Sequence, residues 1–395
     1  MSEFQPPPGF TDAAGEVADP EPAAGHAARL RQQRLVVPAG SLGALEELAV
    51  WAAGVQGRCP PENFDGARTV LFAADHGIAE AGVTGAGSAT TQRLVELVDA
   101  GRAPVNAMAA GIPVRVVDVA VAADTGGVRW AYKVRRASGR IDREDALSPD
   151  ETAAAITAGM TVADEEIEAG ADLLLVGNLG TAANTPASAL VAVLTDTEPA
   201  RVIGWGDGID DAGWMRKCAA VRDARRRAWP YRDDPLRLVA VAGGADLAAL
   251  TGFLVRVASR RVPVLLDGLV ACTAALLAQL ACPRVVRWCL AGQQSGEPAH
   301  ELALRRLGLT PVLRLGVELD QGAGALLALP VLRAATRTLA GTATADELAG
   351  VHSAESVGAD PVESVGVHSA ESAGTAAVES AGAHSAEISR RERGG

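Results

Sequence analysis

Aromatic side chains and regularly spaced cysteines are both scarce in this chain. Phe, Trp and Tyr make up 3% of its 395 residues, although hydrophobic residues make up 48%. Such a composition suits a closely packed α/β core of small side chains. The five cysteines are odd in number and none are spaced as CxxC, so we expect free thiols in a reducing compartment. No cluster of His or carboxylate ligands accompanies them, and we expect no metal site.

Positive charge is scarce as well. The formal net charge of −12 argues against nucleic acid or an anionic membrane as a partner. No unbroken apolar run reaches the roughly 20 residues that are needed to cross a bilayer. Residues 1–22 lack the basic start and apolar centre of a signal peptide. These absences predict a cytoplasmic protein without a membrane partner.

Composition divides the chain into three parts. Residues 1–26 are rich in proline and acids and poor in apolar side chains, so we expect them to be disordered. Residues 27–345 carry the patterns of a folded α/β domain with a helical subdomain. Residues 346–395 contain an octapeptide repeat of the type VHSAESVG, which is too poor in large apolar side chains to form a core. The histidines spaced along it allow metal or partner binding, but a low-complexity tail is the simpler interpretation.

Short apolar runs alternate with helical segments through the central part. This alternation predicts a parallel sheet covered by helices on both faces. In such sheets, ligands bind beyond the carboxyl ends of the strands. The predicted strands are 69–74, 114–121, 173–176, 238–242, 262–266 and a weaker one at 288–291.

The first stretch whose side chains could take part in catalysis follows the first predicted strand. There the chain reads Asp75-His76-Gly77. Asp75 and His76 could form a proton-transfer pair. Equally, Asp75 could cap a strand-end turn by accepting hydrogen bonds from the backbone that follows. The sequence does not separate these alternatives.

Three glycine-containing stretches indicate an anion site. Their glycines allow backbone N–H groups to approach a phosphate, and Thr, Asn, Ser and Lys side chains add donors. None of them is a Walker loop or a GxGxxG motif, and each taken alone could be an ordinary strand–helix turn. In the last stretch, Ser295 and His300 also allow a Ser/His/acid triad, but no Gly-x-Ser-x-Gly elbow supports it. The three stretches are 177–185, 204–208 with Lys217 on the following helix, and 291–300.

Taken in order, these motifs resemble the nicotinate-nucleotide–dimethylbenzimidazole phosphoribosyltransferases. The resemblance begins at the Pro-x-Gly-Ser-Leu-Gly opening of residues 38–43 and continues through the Asp75-His76-Gly77 loop. It passes through Val116-Val117-Asp118 and closes at Gly324-Ala325, so that it covers most of the chain.

The resemblance implies a fold and a reaction. The fold is a three-layer α/β structure with a Rossmann-like parallel sheet and a small helical domain built from both chain ends. The molecule would be a homodimer without a cofactor. In the reaction, nicotinate mononucleotide loses nicotinate, and a nitrogen of a benzimidazole-type base takes its place at C1′ with inversion. The product would be α-ribazole 5′-phosphate, the nucleotide that carries the lower ligand of cobalamin.

The resemblance also assigns site residues. Gln321 occupies the position of the family's catalytic glutamate. The base pocket would be lined by Thr84, Ala86, Gln92 and Arg93. The nucleotide and its phosphate would be bound by Gly177, Asn178, Gly180, Asn184, Thr185, Gly204, Gly206, Gly208, Lys217, Ser295 and Gly296.

Several departures from the family pattern fall at this site. The family's Ser-Ala-Tyr-Pro is Thr-Gly-Ala-Gly at residues 84–87, and an acidic residue is replaced by Asn178. Gln321 is an amide, which can orient a base but cannot accept its proton at neutral pH. Asp320 or Glu318 could replace the missing carboxylate. The alternatives to an active transferase are therefore a nucleotide-binding homologue without turnover, or a decayed paralogue with neither property.

Overall fold

The computed structural model describes residues 4–87, 89–126, 131–206 and 208–348. The chain divides into two units, residues 1–346 and 347–395, and all of the elements named below belong to the first. The octapeptide repeat lies outside the described residues.

A five-stranded parallel sheet forms the centre of the first unit, in the order β2-β1-β3-β4-β5. Its strands are apolar and buried, as expected where helices cover both faces. This confirms the predicted α/β class. The strands are β1 Ala67–Ala74, β2 Val114–Ala120, β3 Leu173–Leu179, β4 Val264–Leu266 and β5 Cys289–Ala291.

Thirteen α-helices, α1 to α13, lie within the described residues up to residue 341. The N-terminal ones are α1 Phe10–Glu16, α2 Pro22–Gln32, α3 Ala44–Gln56, α4 Thr90–Asp99, α5 Pro104–Ala109 and α6 Pro149–Glu168. They are followed by α7 Asn184–Leu194, α8 Asp211–Ala228, α9 Pro235–Ala242, α10 Ala245–Ser259, α11 Gly268–Ala281, α12 Pro298–Leu307 and α13 Ala323–Gly341.

One predicted strand is a helix. Residues 238–242 belong to α9, which begins after Asp234, and the Asp234 carboxylate accepts hydrogen bonds from the N–H groups of Leu236 and Arg237. Pro235 occupies the first helical turn, where its missing N–H costs nothing. The helix is buried on most of its surface, so its apolar run carries no helical period that would distinguish it from a strand.

Both chain ends contribute to one helical layer, as the fold prediction requires. Leu35 and Thr344 form an antiparallel bridge, and the Arg31 guanidinium donates to the carbonyl of Leu339 at 2.8 Å. The prediction that residues 1–26 are disordered is wrong for α1 and the start of α2. Phe10 and Val17 are buried there, so this short segment gains enough apolar contact to be ordered.

The helix α13 is long and apolar enough to cross a membrane by composition alone, with a mean hydropathy of 1.2. More than half of that window is buried within the protein. The Arg333 guanidinium in its middle donates to the carbonyl of Phe64. These contacts are those of a core helix.

Candidate active site

The polar strand ends of β1 and β3 meet in a buried network. The Asp75 carboxylate accepts from the Thr91 hydroxyl at 2.5 Å and from the N–H of Ala122 at 2.8 Å. The Thr91 hydroxyl also lies 3.0 Å from both the hydroxyl and the N–H of Thr181. Asp75 thus ties three loops together at the carboxyl edge of the sheet. Neither predicted alternative describes this geometry, because the partners of Asp75 are Thr91 and the N–H of Ala122 and not His76 or the backbone that directly follows Asp75.

His76 pairs with a different carboxylate. Its Nε2 lies 3.2 Å from Oδ2 of Asp246, and both side chains are buried. Burial lowers the pKa of His76, but the carboxylates of Asp246 and Asp75 raise it by more, so that the net pKa lies above its ordinary value. The pair joins the first strand's loop to α10. No local pattern in the sequence links residues 76 and 246.

Three predicted nucleotide-binding residues and the residue at the predicted catalytic position present buried polar atoms without a hydrogen-bond partner among the described residues. They are Asn178 Oδ1, Thr185 Oγ1, Lys217 Nζ and Gln321 Oε1. Buried polar groups in folded proteins are nearly always hydrogen-bonded, because each unpaired group loses its hydration without compensation. Atoms of this kind at β3, α7, α8 and the start of α13 are what a site built for a polar ligand requires.

Among these residues, Lys217 gives the strongest indication of an anion-binding site. It is fully buried in α8, and its ammonium donates no hydrogen bond to any described residue. An isolated buried ammonium is costly unless an anion accompanies it. The predicted role of Lys217 in binding a phosphate agrees with this burial.

The glycines of the predicted phosphate loops serve close backbone packing. A Cβ at Gly177 would lie 2.5 Å from the nitrogen of Gly322, and one at Gly180 would lie 1.9 Å from the carbonyl oxygen of Ala74. Gly177 therefore allows the turn that carries Gln321 to pack against β3. The sequence analysis predicted that these two glycines bind the ligand. The structure shows instead that glycine is required there by the packing of the backbone.

The second loop surrounds a carboxylate. A Cβ at Gly204 or Gly206 would lie 2.5 Å from an oxygen of Glu297, a buried residue that sequence reasoning did not select. Gly208 has a positive φ of 66° and no atom near the position of a Cβ. The sequence predicted that Gly204 and Gly206 bind an anionic ligand. In the structure both glycines lie next to the carboxylate of Glu297.

Both donors of Ser295 point to a histidine. Its hydroxyl lies 2.8 Å and its N–H 3.2 Å from Nδ1 of His300, and Nε2 of His300 lies 3.4 Å from the Cys272 sulfur. Burial lowers the pKa of His300 to about 4, so the ring is neutral and accepts through Nδ1. No carboxylate completes a triad among the hydrogen bonds described for His300. For Ser295 to donate to a phosphate, its hydroxyl would have to leave His300.

The four base-pocket residues are spread over a loop and a helix. The Thr84 hydroxyl accepts from the N–H of Ala86 at 3.1 Å, and both residues are half-buried. Gln92 donates to Glu96 at 2.9 Å, and Arg93 is exposed, because α4 directs Thr91 toward the strand ends instead. The assignment of Gln92 and Arg93 to the base pocket therefore depends on the resemblance alone.

Gln321 lies in a turn with unusual backbone geometry. Asp320 before it has a φ of 58°, and Gly322 after it has a φ of 81° and caps α13. Gln321 itself is 6% exposed. Asp267, at the end of β4, accepts from the N–H of Gly324 at 2.9 Å and holds this turn against the sheet.

A parallel sheet covered on both faces, with buried polar atoms that lack partners among the described residues, is typical of α/β proteins that bind a ligand at the carboxyl ends of the strands. Comparison with known proteins narrows the class. The sequence pattern of a phosphoribosyltransferase family matches residues 17–351. The chain belongs to the family of nicotinate-nucleotide–dimethylbenzimidazole phosphoribosyltransferases.

Relatives and solved structures carry that name. The Mycobacterium tuberculosis H37Rv enzyme of this name is 53% identical over 347 residues, which cover 87% of this chain and 96% of the relative. The Mycobacterium ulcerans enzyme is 50% identical over 353 residues, or 88% and 98% of the two chains. The crystal structure of CobT from Thermus thermophilus superposes with a TM-score of 0.79 at 37% identity, over 83% of this chain and 99% of that one.

Proposed function

We propose that this protein transfers the phosphoribosyl group of nicotinate mononucleotide to a benzimidazole-type base, giving α-ribazole 5′-phosphate and nicotinate. The C1′–N bond to nicotinate breaks with its electron pair on the pyridine nitrogen. A ring nitrogen of the acceptor forms the new bond to C1′, and the acceptor loses its N–H proton. Family membership supports the reaction, because the chain matches relatives of this name over nearly their whole length.

The observation that carries the substrate assignment is the buried ammonium of Lys217, which has no hydrogen-bond partner among the described residues. A mononucleotide supplies one phosphate, and a fully buried cation is the group that gains most from pairing with it. The Thr185 hydroxyl can donate to the same phosphate, whereas Oδ1 of Asn178 is an acceptor suited to a ribose hydroxyl, and neither atom has a partner among the described residues. The three side chains belong to β3, α7 and α8, so the nucleotide would be held between separate elements of the fold.

The second candidate function is nucleotide binding without efficient turnover. The amide of Gln321 favours it, because an amide at the catalytic position cannot take the acceptor's proton. Calorimetry with nicotinate mononucleotide separates this case from a decayed paralogue. Saturable binding without any product would support it, and the absence of binding would exclude both functions.

The transfer is tested by incubating the protein with nicotinate mononucleotide and a panel of benzimidazoles and purines. We expect free nicotinate and a new ribotide in equal amounts. The Gln321→Glu variant should be faster by up to about 10²–10⁴-fold if a general base is the missing group. Absence of product above the uncatalysed rate with every acceptor would refute the transferase assignment.

We also propose that the protein is a homodimer, as the family resemblance implies. Two large apolar side chains near the Gly204–Gly208 loop, Trp205 and Met215, are 60% and 61% exposed in the single chain. Sedimentation equilibrium would give the assembly mass, and a monomer at micromolar concentration would contradict the proposal.

A further inference from the structure

An amide at residue 321 leaves the acceptor's proton without an obvious recipient. The two carboxylates nearest in sequence are poorly placed to receive it. Glu318 is exposed, and its carboxylate lies against Gly296. Asp320 directs its carboxylate toward Gly268, at the turn between β4 and α11.

A third carboxylate, that of Asp267, contacts the same turn from the sheet side. It follows β4 directly, its N–H donates to the carbonyl of Val176 at 3.0 Å, and its side chain is fully buried. Its Oδ1 accepts from the N–H of Gly324, and the backbone N–H groups of Gly322 and Ala323 face the carboxylate closely enough to lower its pKa. Asp267 thus lies at the N-terminus of α13, next to Gln321.

One oxygen of the Asp267 carboxylate lacks a hydrogen-bond donor among the described residues. Oδ2 of Asp267 is enclosed and has no hydrogen-bond partner in the described part of the chain, and the same is true of Oε1 of Gln321. A carboxylate that served only to cap α13 would leave no enclosed oxygen unpaired, because that costs free energy. The N–H of an aromatic acceptor is the kind of donor that both atoms lack.

We propose that Asp267 is the catalytic base of the transfer and that Gln321 orients the acceptor ring. This assignment rests on the proposed function. As the acceptor nitrogen bonds to C1′ and nicotinate leaves with the electron pair of the broken bond, the proton on the acceptor's other ring nitrogen passes to Oδ2 of Asp267. The protonated carboxyl then releases that proton to solvent, so each turnover yields one ribotide, one nicotinate and one proton.

The surroundings of Asp267 suit a base that works near neutral pH. Burial raises the pKa of Asp267 to about 7, although the three backbone N–H groups of α13 lower it. The other titratable groups that face it are Asp320 from the turn and Cys272 from α11, with Cys289 of β5 beside Cys272. A base is most effective when its pKa lies close to the working pH.

The test compares Asp267→Asn with the wild-type enzyme. Asparagine retains an oxygen to accept from Gly324 but cannot take a proton. We expect kcat to fall about 10²–10⁴-fold while the KM for nicotinate mononucleotide changes by less than about threefold. The matched control is Asp234→Asn, which alters a helix-capping carboxylate remote from the site and should leave kcat unchanged.

The wild-type pH profile is a second measurement that does not require the variant to fold. With an acceptor that stays uncharged over the range, kcat should fall about tenfold per pH unit below the pKa of the base. A flat profile between pH 5.5 and 8.5, or an Asp267→Asn enzyme as fast as wild type, would overturn the assignment. So would a loss of rate that instead follows Asp320→Asn or Glu318→Gln. If wild type forms no ribotide at all, the proposed function fails and the base assignment falls with it.

Discussion

The two lysines of the chain, Lys133 and Lys217, show how differently a buried ammonium can be held. The side chain of Lys133 is 6% exposed, and its ammonium donates to the Asp118 carboxylate at 3.0 Å. Lys217 is fully buried and has no hydrogen-bond partner among the described residues. The first lysine has its counter-charge inside the fold, whereas the described residues offer the second none, as the proposed phosphate-binding role requires. A residue kept at a cost to stability is expected where binding requires it.

Replacing Lys217 by Met should therefore stabilise the protein and weaken ligand binding. We expect the free energy of unfolding to rise by about 1 kcal/mol or more, because a buried unpaired charge is removed. The affinity for nicotinate mononucleotide should fall about 10–100-fold with the loss of a charged hydrogen bond. Urea unfolding and calorimetry measure the two effects.

The matched control is Lys133→Met. It breaks a buried pair and leaves Asp118 uncompensated, so unfolding should become easier by about 3–5 kcal/mol. Equal losses of stability in the two variants would show that Lys217 has an internal partner and would contradict its proposed role.

Among the helices, α6 and α10 cross with their backbones in contact. A Cβ at Gly159 would lie 1.8 Å from the carbonyl oxygen of Ala249, and one at Gly252 would lie 2.3 Å from that of Ile156. The two glycines thus let both helices pack closely behind the sheet. Because α10 carries Asp246, this crossing also fixes the partner of His76.

Gly159→Ala should cost about 1–3 kcal/mol or more of unfolding free energy, since the added methyl group meets backbone that cannot move alone. The control is Gly15→Ala, another helical glycine, with no atom within 4 Å of its Cβ position. That variant should be neutral or more stable by about 0.4–1 kcal/mol. Urea midpoints of both variants test the comparison, and an unchanged midpoint for Gly159→Ala would refute it.

Elements were predictable from the sequence where burial left a clear pattern. The apolar runs at 69–74, 114–121 and 173–176 became strands because each is short and ends in polar or glycine residues. The run at 238–242 became a helix because Asp234 and Pro235 start one there, and a run buried on most sides does not reveal its period.

Residues of the candidate site could be predicted only where they belong to motifs that the chain shares with a known family. Those motifs singled out Lys217, Asn178 and Thr185, and each has a buried polar atom without a partner in the part of the chain that the structure describes. Contacts between distant segments left no local signal, as with Asp267 and Gly324 or Glu297 and Gly204. The roles of Gly177 and Gly180 were also hidden, since a glycine required by packing looks the same in sequence as one required by a ligand.

At the scale of the whole molecule, the N-terminal segment is part of the fold. Phe10 and Val17 are buried, the Trp288 indole donates to the carbonyl of Ala18 at 2.8 Å, and Arg287 pairs with Asp19 at 2.9 Å. These contacts join the start of the chain to the segment before β5. Composition alone missed them because only a few apolar residues carry the attachment.

Phe10→Ala should lower the free energy of unfolding by about 3–5 kcal/mol, the usual cost of removing a buried aromatic ring. Thr11→Ala, at the exposed neighbouring position, should change it by less than about 0.5 kcal/mol. Denaturant titration of both variants gives the result, and equal stability would indicate that the N-terminal helix contributes nothing to the core.

The buried ammonium of Lys217 has a practical consequence for handling the enzyme. Any small oxyanion that reaches it should act as a folding ligand, adding about 2.7 kcal/mol of stability at a hundredfold excess over its dissociation constant. The same oxyanion would compete with the substrate for one position. Phosphate or sulfate buffers should thus raise the melting temperature of preparations while depressing their measured turnover, so purification and assay call for different salts.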